Sequence, residues 1–75
     1  MLTLLTPAQV RVLYWLAKGR TVKEITTLLS ISRRTVAAHV SSAKLRIGAQ
    51  SRDEAVALAV QAGLLDRETE IETLA

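Results

Sequence analysis

The feature that most constrains this 75-residue chain is the regular spacing of its helix start and stop signals. All three glycines, Gly19, Gly48 and Gly63, follow a helical pattern, at the position where a left-handed residue commonly ends a helix. The stretches "TPAQ", "TVKE" and "SRDE" read as capping boxes, and Ser32 reads as a fourth N-cap. These signals predict four helices, at about residues 7–18, 22–29, 33–47 and 52–62.

No segment shows the strict alternation of a strand, and the single proline stands at a helix start. The sequence therefore predicts an all-α fold, with one four-helix domain over residues 1–65 and an acidic C-terminal tail over 66–75. The chain has no cysteine, no apolar run near the ~20 residues of a membrane span, and no secretory signal. We expect a cytoplasmic protein without a membrane segment. The sequence leaves open whether it is a complete protein or an excised domain.

Charge is divided unevenly along the chain. Residues 1–52 hold nine Lys/Arg and one acid, a net charge of +8, whereas residues 53–75 hold one Arg and six acids, a net charge of −5. A basic body of this kind favours a surface that binds a polyanion such as nucleic acid. Uneven solubility charge is the alternative.

The second and third predicted helices are separated only by Ser30, Ile31 and Ser32. Two short helices joined by about three residues, with the second one longer, form the helix-turn-helix layout. The same layout also occurs in proteins that do not bind DNA.

The third helix has two contrasting faces when it is wound at about 100° per residue. One face is a predicted buried stripe of Val36, Val40, Ala43 and Ile47. The other face carries Arg34 and Leu45 together with short side chains, namely Ala37, Ala38, Ser41 and Ser42. Short side chains would let a helix lie deep in the major groove of DNA, with Arg33 and Arg34 at its N-terminal end. A merely solvated outer face is the alternative.

The stretches "LTPAQVRVLYWLAKG", "KEI", "ISRRTVAAHV" and "LRIGAQSRDEAVALAVQAGLL" together resemble the LuxR-type helix-turn-helix domain of bacterial transcription regulators. The resemblance covers about residues 4–65. Its most specific part is the set Ser32, Thr35, Val36, His39 and Val40, followed by Gly48 and Ser51-Arg52. It implies a third helix in the major groove and a fourth helix that mediates homodimerisation.

Two sets of site residues follow from the pattern and the resemblance. The resemblance implies base-reading positions at Ala37, Ala38 and Ser41, and backbone contacts at Lys23, Thr35, His39 and Lys44. The full predicted DNA-binding set is Lys23, Arg33, Arg34, Thr35, Ala37, Ala38, His39, Ser41, Ser42 and Lys44, with Arg20 as an additional candidate. The apolar residues of the fourth helix span an arc of about 200°, wider than one buried face needs. The predicted dimer interface is Ala55, Val56, Leu58, Ala59 and Ala62, although a short alanine-rich helix facing water is also compatible with this pattern.

The remaining residues exclude several functions. His39 is the only histidine and lacks partners for a metal site, so packing or one hydrogen bond is the expected role. No catalytic constellation, glycine-rich phosphate loop or cofactor motif is present, so we expect neither an enzyme nor a bound cofactor.

Departures from the usual LuxR-type pattern favour a second hypothesis. Leu45 takes a position that is usually polar, and Val10 and Tyr14 form an apolar strip beside the predicted core residues Leu13, Leu16 and Ala17. We expect Trp15 in the core and Tyr14 half-exposed. A stand-alone helix-turn-helix of this kind could bind a protein partner and modulate a full regulator, through the fourth helix or the Val10/Tyr14 strip.

Overall fold

A computed structural model describes residues 5–65, which form four α-helices and, in that range, no strand. They are α1 (Pro7–Ala17), α2 (Val22–Leu29), α3 (Arg33–Ile47) and α4 (Arg52–Gln61). The predicted all-α fold is confirmed, with α1 and α4 each ending one residue earlier than expected. The acidic segment 66–75 lies outside the described residues. None of the described helices is long and apolar enough to cross a membrane.

The first two helices begin at reciprocal capping boxes, as predicted. At α1, the Thr6 hydroxyl accepts from the Gln9 N–H at 3.2 Å, and Gln9 Oε1 accepts from the Thr6 N–H at 3.0 Å. At α2, Thr21 and Glu24 exchange the same two bonds at 3.1 and 2.9 Å. Each box satisfies two N–H groups that would otherwise lack a partner at the helix start.

The start of α4 differs from the predicted box. The Ser51 hydroxyl accepts from the Glu54 N–H at 3.0 Å, but Glu54 Oε1 accepts from the Gln50 N–H at 2.7 Å and not from that of Ser51. The backbone of Ser51 is more extended (φ −141°) than that of the N-cap residue Thr21 (φ −80°). Glu54 therefore binds the N–H one residue before the N-cap, and the expectation of a third reciprocal box was wrong.

Helix ends follow the glycine pattern, with one addition. The three glycines have positive φ angles, as expected. The end of α2 is instead formed by Ser30, with φ 56° and ψ 45°, a left-handed conformation that the sequence did not indicate. The turn between α2 and α3 is therefore made by a serine in a backbone region that glycine adopts more readily.

The core consists of two clusters that meet on α1. One joins α1 to α3, α4 and the residue at the end of the described chain, and contains Leu13, Tyr14, Ala43, Ala55, Ala59 and Leu65. The other joins α1 to α2 and α3, and contains Val12, Ile25, Val36 and Val40. Trp15 and Leu16 are partly buried and pack against both clusters. Because α3 contributes to both clusters, its orientation relative to α2 and α4 is fixed by packing on two sides.

The aromatic residues of α1 are placed differently from the prediction. Tyr14 is buried, with 2% of its surface exposed, and the Lys18 ammonium lies 5.4 Å from its ring centroid. Trp15 is only partly buried, and its ring meets that of Tyr14 edge-on at a centroid distance of 5.0 Å. Val10 packs beside Tyr14 on the same cluster, whereas Ala17 is exposed. The expectation that Tyr14 is half-exposed was therefore wrong, and within the Val10/Tyr14 strip only the half-buried Val10 retains accessible surface.

Candidate nucleic-acid interface

The third helix presents one buried and one exposed face. Val36, Val40 and Ala43 are buried, and Ile47 is half-buried at the last turn. The opposite side carries residues that are all exposed: Arg34, Ala37, Ala38, Ser41, Ser42 and Leu45. We call this set the outer face of α3. Its position agrees with the helical wheel drawn from the sequence. Because four of its six side chains are short, the surface along this side of the helix is low.

Positive charge collects at the N-terminal end of this helix. The Ser32 hydroxyl accepts from the Thr35 N–H at 3.1 Å, and the two side-chain oxygens lie 3.0 Å apart. The exposed Arg33 and Arg34 follow immediately, on the first turn. Helix N–H groups without intrahelical partners and the positive end of the helix dipole lie at the same place. This end of α3 is electrostatically suited to phosphate.

The exposed side of α2 adds Lys23. Glu24, the only acid among residues 1–52, caps Thr21 at 2.9 Å and lies 3.9 Å from the Arg20 guanidinium. Its charge is thus partly balanced by Arg20, which leaves Lys23 as the cation of this turn. A shallow, open depression of about 380 Å³ lies here, lined by Arg20, Lys23, Glu24, Thr27 and Leu28. Thr27 and Leu28 were not among the predicted residues. The spacing of four residues between Lys23 and Thr27, which places both on one face of α2, could have indicated Thr27.

Three other predicted residues lie at the border between the core and the outer face. Thr35, His39 and Lys44 are all half-buried, which agrees with the place of His39 beside the buried stripe. Lys44 stands in the last turn of α3, where a cation interacts favourably with the helix dipole. Within residues 5–65, no group of three or more His, Asp or Glu side chains could hold a metal ion.

The fourth helix divides the predicted dimer residues into two groups. Ala55 and Ala59 are completely buried against α1 and α3, so they have no surface to offer a second copy. Including them in the dimer interface was wrong, because the small alanine side chains serve the close approach of helices inside the domain. Val56 and Leu58 are half-buried, and Ala62 is exposed. Val60, absent from the predicted set, is 53% exposed.

The sequence matches a family described as "Bacterial regulatory proteins, luxR family" over residues 3–59. The quorum sensing-dependent transcriptional regulator VjbR of Brucella abortus is 42% identical over 64 residues, which cover 85% of this chain and 25% of that protein. The transcriptional regulatory protein YdfI of Bacillus subtilis is 44% identical over 63 residues, which cover 84% of this chain and 30% of that protein. This chain therefore spans about a quarter to a third of the length of these relatives.

The fold also matches a solved structure, the crystal structure of the phage VqmA–DPO complex. The TM-score is 0.77 at 27% sequence identity, and the match covers 91% of this chain and 32% of the other. The similarity thus extends over nearly all of the present chain and a minor part of each longer protein.

Proposed function

Because this chain belongs to the luxR family of bacterial regulatory proteins, we propose that it binds duplex DNA with α3 in the major groove and pairs with a second copy through α4. It is a helix-turn-helix domain of a transcription regulator, and the transcriptional regulators of this family are not enzymes. On this proposal the chain acts in the cytoplasm, where bacterial DNA lies.

The observation that carries the proposal is the outer face of α3, which is exposed, low and basic at its N-terminal end. An α-helix with its side chains is about 10–12 Å wide, close to the ~12 Å width of the major groove of B-DNA. Alanines and serines on this face let the helix backbone approach the bases. The two clusters that hold the other side of α3 keep this face free for the groove.

Contacts to phosphate are assigned to the cations around this face: Lys23, Arg33, Arg34 and Lys44, with Arg20 as an additional candidate. Thr35 and His39 are proposed to contact the sugar-phosphate backbone at the border of the face. Base edges are assigned to Ala37, Ala38, Ser41 and Ser42. Phosphate contacts set the affinity and the position of the helix, and contacts to base edges set the sequence preference.

The dependence of binding on salt tests this assignment. Each neutralised phosphate adds about −0.9 to the slope of log K against log salt concentration. We expect the double variant Arg33→Ala/Arg34→Ala to weaken binding to any duplex and to reduce the slope by about 1.8. Arg11→Ala is the control, because it removes a cation from α1, outside the proposed interface. Unchanged affinity and slope in the double variant would contradict groove docking.

Dimerisation is proposed through the part of α4 that the domain leaves uncovered. With Ala55 and Ala59 buried, the remaining apolar surface is formed by the exposed Ala57, Val60 and Ala62, together with the half-buried Val56 and Leu58. A two-fold axis would bring the same patch of each copy together. Mass measurement by sedimentation, with and without DNA, tests this proposal. A strict monomer at high concentration in both conditions would contradict it.

A second candidate function is a protein-interaction module that pairs with a full regulator. The exposed apolar side chains Leu45 and Val60 favour it, since a partner could cover both. Salt-titrated binding to random-sequence duplex DNA separates the two functions. Salt-sensitive binding supports the first. No binding even at low salt, together with a stoichiometric complex with a full-length regulator of this family, supports the second.

A further inference from the structure

The side chains on the outer face of α3 limit which base edges the helix can read. This inference rests on the proposed binding of α3 in the major groove. Bidentate readout uses Arg or Lys with guanine, Asn or Gln with adenine, and Asp or Glu with cytosine. Arg34, on the first turn, is the one residue of the outer face whose side chain can make such a bidentate contact. Beyond it, this face offers only the methyl groups of Ala37 and Ala38, the short hydroxyls of Ser41 and Ser42, and the side chain of Leu45.

Leu45 extends the apolar character of this face toward the C-terminal end of α3. It is 85% exposed, far more than Leu28 at 38%, although both are leucines on exposed helix sides. The side chains at 37, 41 and 45 follow one another at four-residue intervals, or about 6 Å along the helix axis. Bases along a strand are about 3.4 Å apart, so with the helix axis along the groove these side chains would face sites about two base pairs apart.

The C5-methyl group of thymine is the apolar group that unmodified bases present in the major groove. We infer that α3 reads DNA mainly through thymine methyl groups, contacted by Ala37 and Ala38 near its N-terminal end and by Leu45 near its C-terminal end. The serine hydroxyls add single hydrogen bonds, which discriminate less because hydroxyls can donate and accept. Sequence preference then consists of thymines at positions set by the helix, while Arg34 contacts phosphate at its N-terminal end.

Replacement of thymine by uracil tests this inference, because it removes the methyl group and leaves every hydrogen-bonding group and phosphate in place. A preferred site is first selected from a random duplex pool, and its thymines are then replaced one at a time by deoxyuridine. We expect affinity to fall about fourfold at each contacted thymine, the value for burying one methyl-sized group. The salt slope should stay unchanged, because the phosphate contacts are the same.

Cytosine supplies the converse measurement at the same positions. Changing a contacted T·A pair to C·G should weaken binding. With 5-methylcytosine in place of that cytosine, the affinity should rise again by about fourfold. Uracil substitution that leaves affinity unchanged at every thymine of the selected site would overturn the inference while salt-sensitive DNA binding persists. Absence of salt-sensitive binding to any duplex would overturn the proposed function itself, and the inference with it.

Side-chain variants assign the contacts to residues. Ala38→Gly removes the methyl group of Ala38, and Leu45→Ser removes the apolar end of Leu45. In each variant, the ratio of the dissociation constants for the uracil and thymine duplexes should approach one at the thymine that the changed residue contacts. Because this ratio is measured within one protein, a change in folding stability cancels from it. Ala17→Gly is the matched control, since Ala17 is exposed on α1, outside this face, and it should keep the wild-type ratio. A wild-type ratio at every position in both outer-face variants would exclude those residues as methyl readers.

Discussion

Ser30 is the only residue other than glycine, among those the structure describes, with a positive φ angle. Its backbone ends α2 and directs the chain into α3, so the geometry of the helix-turn-helix depends on it. A left-handed conformation costs a residue with a Cβ roughly 1–2 kcal/mol. The turn is therefore a point of strain that lies outside the hydrophobic core.

We expect Ser30→Gly to raise the free energy of unfolding by about 0.5 kcal/mol, because relief of the strain exceeds the extra freedom of glycine in the unfolded chain. Thermal unfolding should show an increase of a few degrees. Gly48→Ala is the opposite control: at φ 78° an added Cβ meets nothing within 4 Å, so backbone strain alone should destabilise the domain, by about 1 kcal/mol. A lower melting temperature for Ser30→Gly would mean that the serine side chain contributes more than the strain costs.

Burial separates two large residues, Tyr14 in the core and Leu45 on the outer face of α3. Tyr14→Ala should destabilise the domain by about 3–5 kcal/mol, because it opens a cavity between α1 and its neighbours. Leu45→Ala should change stability by no more than about 0.5 kcal/mol, because the side chain is 85% exposed. Chemical denaturation of both variants measures the difference. Equal losses would contradict the burial of Tyr14 in the core.

At the scale of the element, the first turn of α3 combines a structural task with a proposed functional one. Ser32 caps the helix at the point where Arg33 and Arg34 place their charges. Asp is as good an N-cap as Ser and also interacts favourably with the helix dipole. The cap therefore offers a position where folding and DNA binding respond differently to one substitution.

We expect Ser32→Asp to keep the melting temperature within a few degrees of the wild type but to weaken DNA binding severalfold at low salt. The added carboxylate repels phosphate at the helix start, and this effect should shrink as salt screens it. Ser32→Ala is the matched control, with a loss of about 1 kcal/mol in stability and no added charge. Wild-type DNA affinity in Ser32→Asp would place phosphate away from this end of α3.

At the scale of the whole molecule, α1 holds two clusters together and leaves two surfaces uncovered, one on α3 and one on α4. The proposed surfaces belong to different helices, so DNA contact and pairing can be disrupted separately. Val60 is the most exposed large apolar residue of α4, at 53%. It is the position where a charge would affect pairing with the least effect on the fold.

We expect Val60→Asp to remain folded and to become monomeric, because a pair of like charges would face each other across the two-fold axis. Binding to a palindromic site should then lose its cooperativity, while binding to one half-site persists. Ala17→Asp is the control, because Ala17 is exposed on α1 and adds the same charge outside the proposed pairing surface of α4. Sedimentation gives the mass of each variant, and an unchanged dimer in Val60→Asp would move the interface elsewhere.

Local signals in the sequence determined most of the secondary structure. The hydroxyl caps and the glycines act within four residues of themselves, so the bounds of all four helices were predicted to within one residue. The wheel of α3 was also reliable, because Val36, Val40 and Ala43 pack on one side and the opposite side meets no other helix among the described residues. The outer face of α3 and its basic N-terminal end therefore follow from the order of the amino acids alone.

Tertiary structure decided which sides of α1 and α4 are covered, since burial there depends on neighbours distant in the chain. Tyr14 is buried because α1 packs against α3 and α4 as well as α2, and a helix wheel cannot indicate a second covered face. Ala55 and Ala59 lie inside for the same reason, which leaves Val60 at the surface. Helix bounds follow from local hydrogen bonds and backbone preferences, whereas the choice between core and surface follows from the packing of whole helices.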